Sequence, residues 1–191
     1  MKFIQTNIDG AFLVEQEAFQ DERGFFARAY CRQEFENAGL HYSFLQANMS
    51  GNERAGTMRG LHYQDESAPE AKFLRCVRGA VQDVLLDMRP DSPSYLKSFS
   101  VELTSENRLA IVVPPLCAHG YLALSDGAEV FYQTSHPYVA GTERGVRYDD
   151  PALGVQWRTK VAHVSPKDRV WPLLSEQMAL STSTGAEAED A

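Results

Sequence analysis

The sequence contains little of what disulfide-stabilised, membrane-bound or nucleic-acid-binding proteins require. Of its 191 residues only three are cysteines, Cys31, Cys76 and Cys117, and no two of them have CxxC spacing. An odd and scattered set of this kind argues against a disulfide framework and against a zinc site, and it fits a reducing compartment.

Long apolar stretches are also missing. No segment reaches the roughly 18 consecutive apolar residues that indicate a transmembrane helix. The N-terminal MKFIQTNIDG has no apolar core of a secretion signal. We therefore expect a cytoplasmic protein without a membrane partner.

Positive charge is scarce, since 18 Lys and Arg against 26 Asp and Glu give a net charge of −8. A nucleic-acid-binding surface needs a basic patch, so we expect no nucleic-acid partner. A small anionic ligand remains compatible, because a few local Arg or Lys side chains can bind a phosphate group.

The length of the chain and its composition, with 43% hydrophobic and 23% charged side chains, fit one globular domain. No internal repeat, linker or low-complexity tract precedes residue 175. We predict a single domain at residues 1–174 and a disordered acidic tail at 175–191, which has no Lys or Arg and little apolar content.

Short strand-like segments separated by turn residues dominate the chain. Their spacing of about ten residues is typical of an all-β sandwich or barrel. One helix is predicted at 32–38, with Gly39 as its C′ residue. The predicted strands are 57–64, 72–78, 80–88, 97–103, 108–114, 118–124 and 128–135.

Polar side chains occur on several of these strands. In the first of them, alternation places His62 and Gln64 on one face and Arg59 on the other. A barrel interior is normally apolar, so His62 and Gln64, together with Lys72 and Tyr132 on other strands, suggest a polar ligand cavity. Alternation leaves open which face points inward.

Five side chains have a chemical interpretation beside an ordinary structural one. His62 and His119 are either packed histidines or general bases, because an imidazole titrates near neutral pH. Arg23 and Arg59 are either solvated surface residues or phosphate ligands, since a guanidinium matches two phosphate oxygens. Asp168 is either a loop carboxylate or the partner that orients a histidine.

A metal site is a further interpretation of the two histidines. His62, Glu70 and His119 resemble part of the ligand set of cupins, which are small β-barrels. Cupins usually have His-x-His where this chain has His62 and Gln64, so a principal imidazole ligand is missing. We expect no metal, and a metal-dependent cupin oxygenase or isomerase is kept as an alternative.

A series of short motifs runs through the chain in a distinctive order. They are 21–26 (DERGFF), 46–50 (QANMS), 59–64 (RGLHYQ), 72–76 (KFLRC), 83–89 (DVLLDMR), 92–93 (SP), 118–120 (AHG), 129–132 (EVFY), 150–151 (DP) and 165–168 (SPKD). RGLHYQ, AHG and SPKD, in this order and spacing, resemble the dTDP-4-dehydrorhamnose 3,5-epimerase family. The resemblance covers nearly the whole chain before the tail.

The resemblance implies an all-β, cupin-like jelly-roll barrel with a few short helices, and neither a metal nor a redox cofactor. It implies a nucleoside-diphospho-4-keto-6-deoxyhexose as substrate. The C4 ketone of such a sugar acidifies the hydrogens on C3 and C5. A base can then remove one as a proton, and an acid can return a proton to the opposite face. The implied reaction is the 3,5-epimerisation of dTDP-4-dehydro-6-deoxyglucose or a close variant.

The resemblance also implies residue roles. His62 is the base, Asp168 is its partner, and Tyr132 is the proton donor. Lys72 stabilises the enolate that forms at O4, as an oxyanion hole does. The implied substrate-binding residues are Arg23 and Arg59 for the diphosphate, Phe26 for the nucleobase, and Gln46, Asn48, His119 and Tyr138 along the substrate. Phe26 is expected to come from a neighbouring subunit, because family members are homodimers with exchanged N-terminal strands.

Three positions depart from the family pattern. Arg28 stands where thymidine-using enzymes usually have a Glu that contacts the base, which leaves a cytidine or uridine nucleotide open. Leu116 replaces a turn glycine, which predicts a somewhat different backbone there. Cys117 replaces a Phe and removes bulk from the pocket wall. Besides the metal-dependent enzyme, the alternatives are a mono-epimerase acting at C3 or C5 only and a sugar-nucleotide-binding protein without activity.

Overall fold

The computed structural model describes residues 1–177, and the predicted tail from residue 178 onward lies outside the described residues. Strands dominate this range, where a helix α1 spans Arg32–Asn37 and a 3₁₀ turn spans Pro151–Leu153. Residues 174–177 are also helical, and none of the helices in the described range is long and apolar enough to cross a membrane. The strands are β1 Lys2–Gln5, β2 Phe12–Glu15, β3 Ala18–Asp21, β4 Gly24–Ala27, β5 Gln46–Asn52, β6 Thr57–Gln64, β7 Lys72–Arg78, β8 Ala80–Asp87, β9 Ser98–Thr104, β10 Ala110–Val113, β11 Cys117–Ala123, β12 Ala128–Thr134, β13 Glu143–Gly145 and β14 His163–Val164.

Two sheets form the body of the molecule. The first has the strand order β1-β2-β10-β7-β12-β5, and the second has the order β13-β6-β11-β8-β9, with β14 parallel to β6 at its side. The remaining pairs are antiparallel, and non-consecutive strands lie next to each other in both sheets, as in a jelly roll. Strands β3 and β4 form a separate hairpin.

The main core lies between the sheets, where side chains of both inner faces are fully buried. It includes Leu74 and Ile111 from the first sheet and Val81, Leu85 and Leu103 from the second. Alternate residues of each strand point into this layer, so the apolar side chains need no helix to cover them on the inner side. Burial of this apolar surface is the main stabilising contribution to the fold.

The outer faces are covered separately. On the first sheet, the ring of Phe35 from α1 packs edge-on against Phe3 and Phe73. On the second sheet, the segment after β13 supplies Val146, Leu153 and Leu174 to a further buried cluster. This returning C-terminal segment carries the SPKD motif back to the sheet that contains RGLHYQ.

The helix and most strand predictions are confirmed. Helix α1 ends at Asn37, followed by Ala38 and by Gly39 at a φ of +79°. That left-handed conformation is the one a C′ glycine provides. The limits of 57–64 and 72–78 agree with β6 and β7 at both ends.

The prediction for the faces of β6 is wrong, because a bulge interrupts its alternation. Arg59 pairs with Tyr121 and His62 pairs with His119, so three steps on β6 oppose two steps on β11. Gly60 lies at this point with a φ of +103°. Arg59 and His62, expected on opposite faces, therefore both reach the same cavity.

Candidate active site

A cavity of about 580 Å³ lies between the two sheets. Its wall combines β6 and β11 of one sheet, β7 and β12 of the other, and residues 162–169 of the C-terminal segment. Six of the residues singled out in the sequence line it: Arg59, His62, Lys72, His119, Tyr132 and Asp168. A cavity with a small number of convergent polar groups on an apolar frame is the usual form of a small-molecule site.

His62 projects into the cavity just after the β6 bulge, with 32% of its side chain exposed. Burial, and then the nearby positive charge of Lys72, lowers the pKa of His62 from 6.5 to about 3. The imidazole is therefore neutral at neutral pH and can accept a proton. Its Nδ1 lies 3.6 Å from Oε1 of Glu143.

Asp168 lines the same cavity and is buried. Its backbone N–H donates to Ser165 Oγ (3.0 Å), and its Oδ1 accepts a hydrogen bond from Trp171 Nε1 (3.3 Å). Within residues 1–177 no hydrogen bond joins Asp168 to His62. The carboxylate nearest the His62 ring nitrogen is that of Glu143, which the sequence did not single out.

Trp171 fixes the C-terminal segment on the second sheet. Its ring lies against Gly145 so closely that a Cβ at Gly145 would be 2.4 Å from the indole. Gly145 pairs with His62 across β13 and β6. The glycine thus lets the indole pack next to the strand of His62, and Trp171 in turn holds Asp168 at the cavity wall.

Lys72 and Glu70 form an ion pair in a largely buried position. Lys72 Nζ lies 3.4 Å from Oε2 of Glu70, and only 12% and 10% of the two side chains are exposed. Lys72 lines the cavity, whereas Glu70 does not. A cation held in this way can stabilise negative charge on a bound molecule without reorganising.

Tyr132 on β12 lines the same cavity as Lys72 and His62. Burial, and then the charge of Glu70, raises the pKa of Tyr132 above its usual value. The phenol therefore stays protonated at neutral pH and is available as a proton donor. Its cross-strand neighbour on β5 is Asn48.

His119 has a buried carboxylate partner of its own. Its Nε2 lies 2.9 Å from Oδ2 of Asp83, which is fully buried on the neighbouring strand β8. A carboxylate in this position fixes the orientation and the tautomer of an imidazole. The sequence could have indicated a role for Asp83, since a carboxylate there interrupts the apolar run of β8.

Arg59 is held at the edge of the cavity. Its Nε donates to Asn52 Oδ1 (2.9 Å) and its Nη2 donates to the Gly51 carbonyl (2.9 Å). These bonds leave the rest of the guanidinium fork free to meet an anionic group. Lys167, also on the wall, forms an ion pair with Glu143.

The other predicted binding residues lie outside this cavity. Arg23 and Phe26 are on the β3–β4 hairpin, where Arg23 pairs with Asp21 and the Phe26 ring is 70% exposed. Gln46 lies on the edge strand β5, and Tyr138 is exposed in the loop after β12. In the single chain these residues are not brought together with His62.

Two departures from the family pattern have a structural explanation. Leu116 has a φ of +61°, a left-handed conformation that glycine favours. Arg28 Nη1 donates to Oε1 of Glu34 (3.0 Å) on α1. Its guanidinium is bound within its own chain.

Two of the four residues that were compared with the cupin ligand set are engaged elsewhere. Gln64 is buried and binds the loop after β12, and Glu70 pairs with Lys72. In the part of the chain that the structure describes, no group of three or more His, Cys, Asp or Glu side chains could hold a metal ion.

The chain is similar to known proteins over most of its length. A family model described as dTDP-4-dehydrorhamnose 3,5-epimerase matches residues 5–176. A dTDP-4-dehydrorhamnose 3,5-epimerase from Methanothermobacter thermautotrophicus is 39% identical over 178 residues, which are 92% of this chain and 95% of that protein.

Solved structures show the same likeness. The dTDP-4-dehydrorhamnose 3,5-epimerase of Bacillus anthracis, with TDP and PPi bound, superposes with a TM-score of 0.87 at 36% identity and covers 91% of this chain and 99% of that chain. The dTDP-6-deoxy-D-glucose-3,5-epimerase of Legionella pneumophila, in complex with dTDP-4-keto-L-rhamnose, has a TM-score of 0.85 at 33% identity and covers 91% and 93%. These structures confirm the predicted cupin-like jelly-roll fold.

Proposed function

The chain belongs to the dTDP-4-dehydrorhamnose 3,5-epimerase family, and from this premise we propose how its own residues carry out the reaction. It is a carbohydrate epimerase of the isomerase class. The substrate is dTDP-4-dehydro-6-deoxyglucose, and C3 and C5 are the inverted centres. The observation that carries the proposal is one cavity lined by a neutral imidazole, a protonated phenol and an ammonium group.

The reaction moves protons only. His62 Nε2 or Nδ1 accepts the proton from C3 or C5, and the electron pair of the C–H bond moves into the C3–C4 or C4–C5 bond. The C4 carbonyl becomes an enolate. The phenol of Tyr132 then donates a proton to the same carbon from the opposite face, which restores the ketone and inverts the centre. The imidazolium of His62 then loses its proton to solvent, and the phenolate of Tyr132 takes one up, before the next inversion. In this scheme the protein needs neither a metal nor a redox cofactor.

Lys72 stabilises the enolate oxygen at O4. Its ammonium is largely buried, so its charge is screened less than it would be in water. One such contact contributes about 3 kcal/mol to transition-state stabilisation, which is about a hundredfold in rate. His119, oriented by Asp83, is a second polar group beside the sugar.

His62 becomes an imidazolium after it accepts the proton. Two carboxylates support that charge in this proposal: Asp168, as the sequence predicted, and Glu143, whose Oε1 is 3.6 Å from Nδ1. Asp168 reaches the cavity wall through the packing of Trp171. Either carboxylate would make the protonated form of His62 more stable than the cationic surroundings alone allow.

Arg59 binds the diphosphate of the substrate. Its guanidinium lies at the edge of the cavity, fixed by Asn52 and the Gly51 carbonyl. Gln46 and Asn48 on β5 and Tyr138 in the loop after β12 extend the binding surface away from the sugar. Arg28 does not oppose a thymidine nucleotide, because it is bound to Glu34 of its own chain.

The proposal includes a homodimer with exchanged N-terminal strands. The β3–β4 hairpin exposes the rings of Phe19, Phe25 and Phe26, and β5 is an edge strand of the first sheet. Exposed rings and an unpaired edge are features that a second chain can cover. In that arrangement Arg23 and Phe26 reach the site of the other subunit. Light scattering should then give a mass near twice the 21.3 kDa of the chain, whereas a monomer would contradict the shared site.

The remaining expectations from the sequence stay predictions. They are a single domain at residues 1–174, a cytoplasmic location, and no nucleic-acid or membrane partner. Residues 175–177 of the predicted tail are in contact with the domain, since Gln177 Nε2 donates to the Gly145 carbonyl (3.0 Å).

Deuterium uptake tests the reaction. The protein is incubated with dTDP-4-keto-6-deoxyglucose in D₂O, and the sugar is followed by NMR and mass spectrometry. Deuterium at both C3 and C5, above an enzyme-free control, supports the proposal. Uptake at one carbon indicates a mono-epimerase. Uptake only with CDP- or UDP-linked sugar contradicts the thymidine assignment, and no uptake with any of them contradicts catalysis.

A further inference from the structure

Residues 135–142 form the loop that joins β12 to β13, which we call the Tyr138 loop. Most of the loop is exposed, and the Tyr138 side chain is 62% exposed. An exposed loop would be expected to sample several conformations in solution. One buried side chain restrains the Tyr138 loop. It is Gln64 at the end of β6, which is only 4% exposed.

The amide of Gln64 binds the backbone on both sides of Tyr138. Its Oε1 accepts the N–H of Val139 (2.7 Å), and its Nε2 donates to the carbonyl of Pro137 (3.2 Å). Oε1 also accepts the hydroxyl of Thr142 (3.2 Å) near the end of the loop. Tyr138 thus lies between two backbone groups that are held by the same side chain.

Only a primary amide satisfies this arrangement. A carboxylate at position 64 would keep the two acceptor contacts but would set an oxygen against the Pro137 carbonyl. An apolar side chain would leave the Val139 N–H and the Pro137 carbonyl without their partner. This requirement explains a glutamine at the position where metal-binding cupins have a histidine.

We propose that Gln64 is a positioning residue for substrate binding, which fixes the Tyr138 loop in the conformation that receives the nucleotide. The proposal rests on the proposed function, in which Tyr138 belongs to the substrate-binding surface. Gln64 does not line the cavity of His62 and Lys72. Loss of the Gln64 amide should therefore weaken nucleotide binding, while the proton-transfer groups stay in place.

The chain contains a matched control. Gln82 on β8 is 2% exposed and holds another loop in the same manner. Its Oε1 accepts the N–H of Arg158 (2.7 Å), and its Nε2 donates to the carbonyl of Gln156 (2.9 Å), on the two sides of Trp157. Gln82 is not part of the cavity wall. Replacing either glutamine by glutamate removes the donor to one loop carbonyl, and at position 82 it also removes the donor to Ser100 Oγ (3.0 Å). The two variants therefore differ mainly in which loop is released.

The experiment compares full-length wild type, Gln64→Glu, Thr142→Val and Gln82→Glu. KM and kcat are measured with dTDP-4-keto-6-deoxyglucose, and the Kd for dTDP is measured by calorimetry. For Gln64→Glu we expect KM and Kd to rise about tenfold, as loss of a hydrogen bond and a new repulsion predict. We expect kcat to stay within about threefold, since the groups that act only in the transition state are untouched. Thr142→Val removes a hydroxyl that contacts both the Gln64 amide (3.2 Å) and the Val139 carbonyl (2.9 Å), and it should raise KM by about threefold.

Gln82→Glu should lower the melting temperature without changing KM or Kd. An unchanged KM and Kd in Gln64→Glu, or in Thr142→Val if the first variant does not fold, would overturn the inference. An equal rise in Gln82→Glu would also overturn it, because the effect would then be one of general stability. If the wild type neither binds dTDP nor converts the sugar, the proposed function has failed, and the role of Tyr138 fails with it.

Discussion

Gly60→Ala is the substitution whose cost follows most directly from the structure. A Cβ at Gly60 would lie 2.5 Å from the carbonyl oxygen of His119 and 2.6 Å from Cα of Gly120, both backbone atoms of the paired strand β11. The φ of +103° adds a conformational penalty. Strain at such a φ costs about 1–3 kcal/mol and overpacking costs about 1–3 kcal/mol, so we expect a destabilisation of about 4 kcal/mol. In a domain of this size that lowers the melting temperature by about 10 °C.

The assay is urea unfolding at equilibrium, with Gly51→Ala as the control. Gly51 also lies on a strand, but no atom is within 4 Å of its added Cβ. We expect Gly51→Ala to change the free energy of unfolding by no more than about 0.5 kcal/mol. If Gly60→Ala is as stable as Gly51→Ala, the bulge does not require a glycine. The explanation for Arg59 and His62 sharing one cavity would then be refuted.

Three further substitutions test single groups of the site. Burial lowers the pKa of His62 from 6.5 to about 3, so the unfolded chain binds a proton that the folded chain does not. The free energy of unfolding should therefore fall as the pH drops from 6.5 toward 3. In urea titrations, His62→Gln should lose less stability than wild type between about pH 7 and pH 5. Equal losses would contradict the lowered pKa of His62. Lys72→Met should lower kcat about a hundredfold with little change in KM in steady-state assays, and an unchanged kcat would remove Lys72 from the mechanism. Asp83→Asn should lower kcat about tenfold, because His119 loses a charge-assisted hydrogen bond, and an unchanged kcat would make the pair purely structural.

Much of the fold could be predicted from local pattern. The strand Thr57–Gln64 was predicted at both ends, because it is bounded by turn residues and rich in strand-forming ones. The four short strands before α1 have no such pattern, and both faces of β3 and β4 are exposed. Alternation failed at Gly60, because the bulge depends on the close approach of Gly120 from a strand sixty residues away.

The site was predicted in part, and mainly through the resemblance of motifs. Six of the proposed residues line one cavity, but spacing in the sequence carried no information on Glu143. Its significance arises only because β13 pairs with β6 and brings Glu143 beside His62. Gln64 was interpreted as a cavity residue and as a missing histidine, and its role in the Tyr138 loop was not foreseen, since its partners there lie more than seventy residues further along the chain.

The proposed roles of Arg23 and Phe26 need a second subunit. On one chain they lie on an exposed hairpin, away from the cavity. A motif can imply such residues, but neither local pattern nor the geometry of a single chain can test them. They stay predictions until the assembly has been measured.

The central claim is that His62 and Tyr132 act on opposite faces of the sugar. Tyr132→Phe separates the two steps, because His62 can still remove a proton and return a deuteron to the same face. In D₂O, we predict that this variant incorporates deuterium next to the C4 ketone while the sugar keeps its configuration, and that His62→Asn does neither. Inversion by Tyr132→Phe at the wild-type rate, or undiminished deuterium uptake by His62→Asn, would contradict the account.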